Sequence, residues 1–126
     1  MTLAEAAPRD PGEGKISSVG DRRQQGRRTL RGTAYLLLPG REPLGVRMLD
    51  ISIAGLSIAA AANAPPNASC GIRFSVPSGG ESVQIETQVT VNHSVFSRTE
   101  DGFRIGLQFR RLTDAQTSAI KKFCTV

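Results

Sequence analysis

Apolar residues alternate with polar or small residues in several short runs along the chain, and glycine- and proline-rich segments separate these runs. A period of two residues is typical of β-strands that bury one face in a hydrophobic core. The clearest run is the last, in which Phe103, Ile105, Leu107 and Phe109 occupy every second position. The pattern predicts strands over residues 29–38, 44–49, 56–58, 70–76, 83–91 and 103–109.

One short helix is predicted near the C-terminal end of the sequence. The side chain of Thr113 or Asp114 can accept hydrogen bonds from the free amides of a first helical turn, and Leu112, Ile120 and Phe123 then fall near one face. At 126 residues the chain has the length of one domain. Six short strands followed by one helix predict a β-dominated fold, a small antiparallel barrel with the helix packed against it.

Residues 1–20 have a different composition, with several prolines and glycines, mixed charges and almost no large apolar side chains. Such a segment cannot offset the entropy cost of ordering, so we predict a disordered leader followed by a domain over residues 21–126. The leader has no signal-peptide pattern, and no apolar run approaches the roughly 20 residues of a membrane helix. We therefore expect a cytoplasmic protein without membrane insertion.

Positive charge is concentrated in the stretch Asp21–Arg31, which holds five of the sixteen basic residues and a single acid. Its local balance of +4 nearly equals the formal net charge of +5 for the whole chain. Gly26 argues against a stable helix here, whereas a loop that a ligand orders would suit the sequence. The concentration of charge predicts a specific anionic partner, and the alternative is a solvated, flexible basic arm.

Catalysis and metal binding both lack candidate residues in the sequence. There is one histidine, no Ser/His/Asp pattern and no glycine loop of the Walker type. Cys70 and Cys124 are far apart and show no metal-ligand spacing, so we expect two reduced thiols. We predict a non-enzymatic binding protein with no cofactor and no metal.

Four arginines in the basic stretch have the chemistry to bind one anionic ligand. Arg23 and Arg27 are four residues apart in a segment that is not expected to be helical, so their guanidinium groups can converge, and Arg22 and Arg28 flank them. Guanidinium groups bind phosphate oxygens in a bidentate manner, and they also bind the O6 and N7 acceptors of guanine. A guanine nucleotide would satisfy both preferences.

A second motif, Asp50-x-Ser52-x-x-Gly55, follows the second predicted strand. Side chains two residues apart on an extended strand point to the same face, and Gly55 permits an approach that a Cβ would block. A carboxylate can accept the N1 and N2 hydrogens of guanine, a donor pattern that adenine does not offer. The alternative is a turn in which Asp50 and Ser52 bind local backbone amides.

The two motifs together, RxxxR starting at Arg23 and DxSxxG starting at Asp50, resemble the paired signature of PilZ domains. Residues 102–109 are similar to the last strand of that family, and the closing helix is similar too. The resemblance implies a six-stranded antiparallel barrel with one C-terminal helix that binds the bacterial second messenger cyclic di-GMP. The resemblance implies these principal ligand-binding residues: Arg23, Arg27, Asp50, Ser52 and Gly55.

Three further residues lie at the margin of the implied site. Arg22 matches a position that in the family influences whether one ligand or a stacked pair is bound. Arg28 adds charge that can assist binding by steering the anion inward. His93 falls near the place where some relatives put an aromatic side chain against a base, and the alternative is a solvent-exposed histidine at a strand end.

We therefore expect a monomeric cyclic di-GMP receptor whose arginine segment becomes ordered on binding and which relays the signal to an unidentified downstream protein. One alternative is a small basic β-barrel that binds nucleic acid. Single-strand binders expose aromatic side chains, whereas Tyr35 and the five phenylalanines fall mostly in apolar strand patterns that suggest core positions, so we consider nucleic acid unlikely as a partner. The other alternative is a PilZ-like adaptor that has lost ligand binding.

Overall fold

Six antiparallel strands and one C-terminal helix form residues 26–125, the part of the chain that the computed structural model describes. The predicted leader lies outside the described residues, and so do residues 21–25 of the arginine segment, which include Arg22 and Arg23. The ordering of this segment on ligand binding stays a prediction. The elements in chain order are β1 Arg28–Leu37, β2 Leu44–Ile51, β3 Gly55–Ala60, β4 Ser69–Ser78, β5 Glu81–Ser97, β6 Gly102–Phe109 and α1 Asp114–Cys124.

The strands close into a barrel in the order β1-β2-β3-β6-β5-β4, with β4 pairing back onto β1. All neighbouring strands are antiparallel. Most neighbouring strands are also consecutive in sequence. The exceptions are the pair β3–β6 and the closing pair β4–β1. The predicted six-stranded antiparallel barrel with one C-terminal helix is confirmed.

The barrel interior holds the residues that the two-residue alternation places on one strand face. The rings of Phe74 and Phe109 stack there with centroids 6.1 Å apart. The largest fully buried side chains include Ile51, Leu56, Ile58, Ile72, Ile85 and Ile120. Because alternate residues point inward, the intervening residues of each strand form the outer face, where the polar site residues lie.

Helix α1 begins where the sequence predicts and packs against β4. Thr113 is its N-cap, and its hydroxyl accepts a hydrogen bond from the Gln116 amide at 3.1 Å while the Gln116 side chain accepts from the Thr113 amide at 3.0 Å. This reciprocal arrangement is a capping box, which satisfies two otherwise free donors. Ile120 and Phe123 anchor the helix in the core.

Strand β5 is longer than predicted, since it continues past Val91 to Ser97. A bulge between Val91 and His93 interrupts the alternation, and this break made the sequence pattern end too early. The extension is held by pairing with β6 as far as Ser97 and Gly102. His93 therefore lies within a strand and not at its end.

Two aromatic side chains, Phe96 and Tyr35, are exposed. Phe96 is 65% exposed near the end of β5, where it packs edge-to-face on Phe103 with centroids 5.7 Å apart. Tyr35 is 40% exposed on β1, and the guanidinium carbon of Arg73 lies 5.4 Å from its ring centroid. Tyr35 lies within a predicted strand, where the sequence pattern suggested a core position, whereas Phe96 lies beyond the predicted end of β5 at Val91.

None of the helices in residues 26–125 has the length and apolar character needed to cross a membrane. Within the same residues there is no group of three or more His, Cys, Asp or Glu side chains that could hold a metal ion.

Candidate functional site

The candidate site is centred on Asp50, near the end of β2 on the outer face of the barrel. Asp50 pairs with Thr29 of β1 on one side and with Ser57 of β3 on the other. The next residue, Ile51, is fully buried in the core. The Asp50 carboxylate consequently faces outward, although only 20% of its side chain is exposed.

Arg27 joins the two sequence motifs directly. Its Nε lies 3.2 Å from Asp50 Oδ1, and its Nη1 donates a hydrogen bond to Ser52 Oγ at 3.0 Å. Arg27 precedes β1 immediately, and the antiparallel pairing of β1 with the end of β2 brings it to this position. One arginine of the first motif and both polar residues of the second therefore form a single cluster.

Ser52 also holds the turn between β2 and β3. Its Oγ accepts hydrogen bonds from the amides of Ala54 at 3.1 Å and Gly55 at 3.3 Å, and its own amide donates to the Gly55 carbonyl at 2.8 Å. The interpretation of this motif as a turn held by side chain-to-backbone bonds is thus correct for Ser52. The described hydrogen-bond and ion-pair partners of Asp50 are arginines instead.

Gly55 allows a close approach between strands. A Cβ at this position would overlap the carbonyl oxygen of Leu107 on β6. A side chain would therefore push β3 away from β6. Because the Gly55 amide also donates to Ser52, its position helps to set the shape of the turn.

Arg104, on β6, is a member of the cluster that sequence reasoning missed. Its Nη2 donates a hydrogen bond to Asp50 Oδ2 at 3.2 Å. The only sequence signal was its place as a charged, outward-pointing residue in the clear alternation of the last strand. Its meeting with Asp50, 54 residues earlier, depends on the pairing of β3 with β6, which the sequence pattern does not reveal.

Arg28 points away from Asp50 and contacts the last turn of α1. Its Nη1 donates to the Phe123 carbonyl at 2.9 Å, and its guanidinium carbon lies 4.3 Å from the centroid of the Phe123 ring. Cys124 lies beside it and donates from Sγ to the Ile51 carbonyl at 3.4 Å. Burial raises the pKa of the Cys124 thiol, while the positive charges of Arg27 and Arg28 oppose this rise.

Cys70 and Cys124 are both free thiols in the structure, and burial raises the pKa of the Cys70 thiol as well.

His93 lies on the same outer face as Asp50, although in another strand. It pairs with Gly106, which pairs with Ser57, the partner of Asp50. The imidazole lies over Gly106, since a Cβ there would be only 2.8 Å from both of its ring nitrogens. His93 is exposed and stands across two intervening strands from the carboxylate.

The model of the PilZ domain family matches residues 21–125. The chain belongs to the PilZ domain family. No curated protein matches the sequence of this chain.

Two solved structures are similar in fold. One is the Bacillus subtilis inhibitor of motility (MotI/DgrA), with 17% identity and a TM-score of 0.70 over 78% of this chain and 47% of that one. The other is a tetrameric PilZ-domain protein from Xanthomonas campestris, with 17% identity and a TM-score of 0.47 over 66% of this chain and 46% of that one. The chain spans about half the length of each, and the likeness to the first shows a shared fold.

Proposed function

We propose that this chain is a non-enzymatic receptor for cyclic di-GMP. The observation that carries the proposal is the contact of Arg27 with Asp50 and Ser52, which unites the two family motifs in one cluster. The ligand combines two phosphates with two guanines, so it requires cationic groups and a carboxylate side by side. The proposed ligand residues are Arg22, Arg23, Arg27, Asp50, Ser52 and Gly55, with Arg28 and His93 at the margin.

Binding would require Arg27 to exchange partners. In this structure its Nε lies 3.2 Å from Asp50 Oδ1 and its Nη1 donates a hydrogen bond to Ser52 Oγ. A phosphate can compete with Asp50 for the guanidinium, because its charged oxygens, like those of a carboxylate, accept two parallel bonds. Once Arg27 moves to a phosphate, Asp50 can accept the N1 and N2 hydrogens of a guanine.

The contacts of α1 support a route for relaying the signal to a downstream protein. Arg28 is bound to Phe123, and Cys124 is bound to Ile51, the residue between Asp50 and Ser52. A rearrangement of Arg27 therefore acts on its neighbour Arg28, and through it on the last turn of the helix. We propose that ligand binding changes how α1 packs against the barrel. We also propose that the protein works as a monomer in the cytoplasm.

Nucleic-acid binding is less well supported by the arrangement of exposed aromatics. Tyr35 lies six residues along β1 from Thr29, the pairing partner of Asp50, which is about 20 Å at the usual rise of a strand. Phe96 packs on Phe103, on the face of β6 opposite to that of Arg104. Neither ring adjoins the arginine cluster, where bases would stack in a single-strand binder.

Isothermal titration calorimetry with cyclic di-GMP, GMP and single-stranded DNA tests the proposal. We expect cyclic di-GMP to bind selectively and Arg27→Ala to weaken binding about 100-fold, since roughly 2.7 kcal/mol corresponds to that ratio. Arg41→Ala is the matched control, because Arg41 is exposed at the far end of the β1–β2 hairpin.

Three results would count against the receptor. A folded wild type that gives no heat with cyclic di-GMP would leave the adaptor alternative. Equal binding of DNA of any sequence would favour the nucleic-acid binder. An equal loss of affinity in Arg41→Ala would show that the measured effect reflects net charge and not the site.

A further inference from the structure

The two arginines that bracket Asp50 make different contacts with it. Arg104 Nη2 donates a hydrogen bond to Oδ2 at 3.2 Å. Arg27 Nε lies equally near Oδ1, but the approach is an ion pair by distance only. Oδ1 is buried and accepts no hydrogen bond from any residue in the described part of the chain. One carboxylate oxygen is therefore fixed by β6, while the other keeps its acceptor capacity.

Arg104 reaches Asp50 by crossing over the outer face of β3. Strand β3 lies between β2 and β6, and Arg104 pairs with Ala59, whereas Asp50 pairs with Ser57. The outward-facing residues of β3 are small, namely Gly55, Ser57 and Ala59. Ser57 and Ala59 are almost fully buried although they lie on the outer face, as expected beneath a side chain that crosses them. Larger residues at these positions would block the crossing.

We propose that Arg104 is a positioning residue for guanine recognition, acting through the Asp50 carboxylate. The inference rests on the proposed function. A carboxylate has about four lone-pair positions, and Arg104 uses one, so both oxygens can still accept from the guanine edge. When Arg27 leaves for a phosphate, Arg104 stays as the counterion of a partly buried charge that would otherwise be uncompensated.

A carboxylate held in one orientation discriminates between bases. Guanine presents two adjacent donors, N1–H and N2–H, whereas adenine presents an acceptor at N1 that a fixed carboxylate oxygen repels. A carboxylate that could rotate would lose part of this discrimination, because it could turn an oxygen away from the adenine acceptor. Arg104 should therefore affect selectivity for guanine more than general affinity for a cyclic dinucleotide.

The test measures affinities for cyclic di-GMP and cyclic di-AMP and compares their ratio between variants. We expect Arg104→Gln to lower the guanine-to-adenine ratio about tenfold, the size of one well-oriented charged hydrogen bond. Arg104→Lys should restore part of the ratio, since a lysine retains the charge but not the planar guanidinium. A merely structural role for Arg104 would lower both affinities together and leave the ratio unchanged.

Arg47→Gln is the matched control for this experiment. Arg47 pairs with Ala59 from the opposite side, so it flanks the same β3 residue as Arg104, but it binds Glu100. We expect its ratio to equal that of the wild type. An unchanged ratio in folded Arg104→Gln and Arg104→Lys, or an equal fall in Arg47→Gln, would overturn the inference. A wild type that binds neither dinucleotide would overturn the proposed function, and this inference with it.

Discussion

Asp50 and Glu100 are two carboxylates of the barrel that are each bracketed by a pair of arginines. Asp50 lies between Arg27 and Arg104, and Glu100 lies between Arg31 and Arg47. Both are largely covered, with side-chain exposures of 20% and 11%. By the number of ion pairs and by burial, the two clusters are therefore equivalent.

Their remaining contacts distinguish them. Arg47 donates both to the Glu100 carboxylate at 3.3 Å and to its backbone carbonyl, and the Glu100 amide donates to Ser97 Oγ at 3.3 Å. Glu100 thus fastens the turn between β5 and β6 to β2. Asp50, by contrast, keeps a buried oxygen that accepts no hydrogen bond within residues 26–125. Paired arginines are common to both clusters, so the spare acceptor capacity of Asp50 is the feature that distinguishes the proposed ligand site.

The largest contrast is expected from removing each carboxylate in turn. Asp50→Ala should weaken cyclic di-GMP binding at least about 100-fold, because guanine loses its acceptor. Glu100→Ala should leave affinity within about twofold but lower the free energy of unfolding by roughly 2 kcal/mol, since Arg47 loses a partly buried charged partner. Calorimetric titration and urea unfolding measure the two effects. Equal losses of affinity in both variants would show that the two clusters do not differ in function.

A smaller contrast is expected from the two glycines that allow close strand approach, Gly55 beside the Asp50 cluster and Gly102 beside Glu100. A Cβ at Gly55 would overlap the Leu107 carbonyl, and one at Gly102 would lie 2.6 Å from the Ala60 carbonyl. Alanine should destabilise the fold by roughly 2 kcal/mol at either position, because backbone must shift. Only Gly55→Ala should also weaken ligand binding in the folded protein, about tenfold, since it distorts the turn that carries Ser52.

Urea unfolding and calorimetry at a temperature where both variants are folded would check this contrast. Gly45→Ala is the control, because the nearest atom to a Cβ there is an ordinary 3.6 Å away. Normal affinity in Gly55→Ala would mean that the turn geometry is not needed for binding.

The smallest expected effect concerns Arg28, which adjoins the Asp50 cluster in sequence but not in contacts. Arg28→Met should lower stability by about 1 kcal/mol, because the protein loses the bond to the Phe123 carbonyl and the stacking on its ring. The melting temperature should fall by about 4–8 °C, the usual shift for a domain of this size. Affinity for cyclic di-GMP should stay within about threefold. A loss as large as that in Arg27→Ala would place Arg28 among the ligand contacts.

Residue types and local spacing determined the elements and the chemistry of this protein. The alternation through Phe103 and Phe109 predicts a strand, and Thr113 marks the start of the helix, because both features depend on neighbours a few residues away. The two motifs are likewise local, since a carboxylate and a hydroxyl two residues apart, and arginines four residues apart, have their chemistry wherever they fold.

The tertiary structure alone decided which of these groups meet. Arg104 joins Asp50 because β6 pairs with β3, and Arg28 turns to Phe123 because the helix returns to the start of β1, a separation of 95 residues. The extension of β5 past its bulge also depends on the partner strand. Such contacts follow from strand order and barrel closure, which bring distant residues together without leaving a local trace in the sequence.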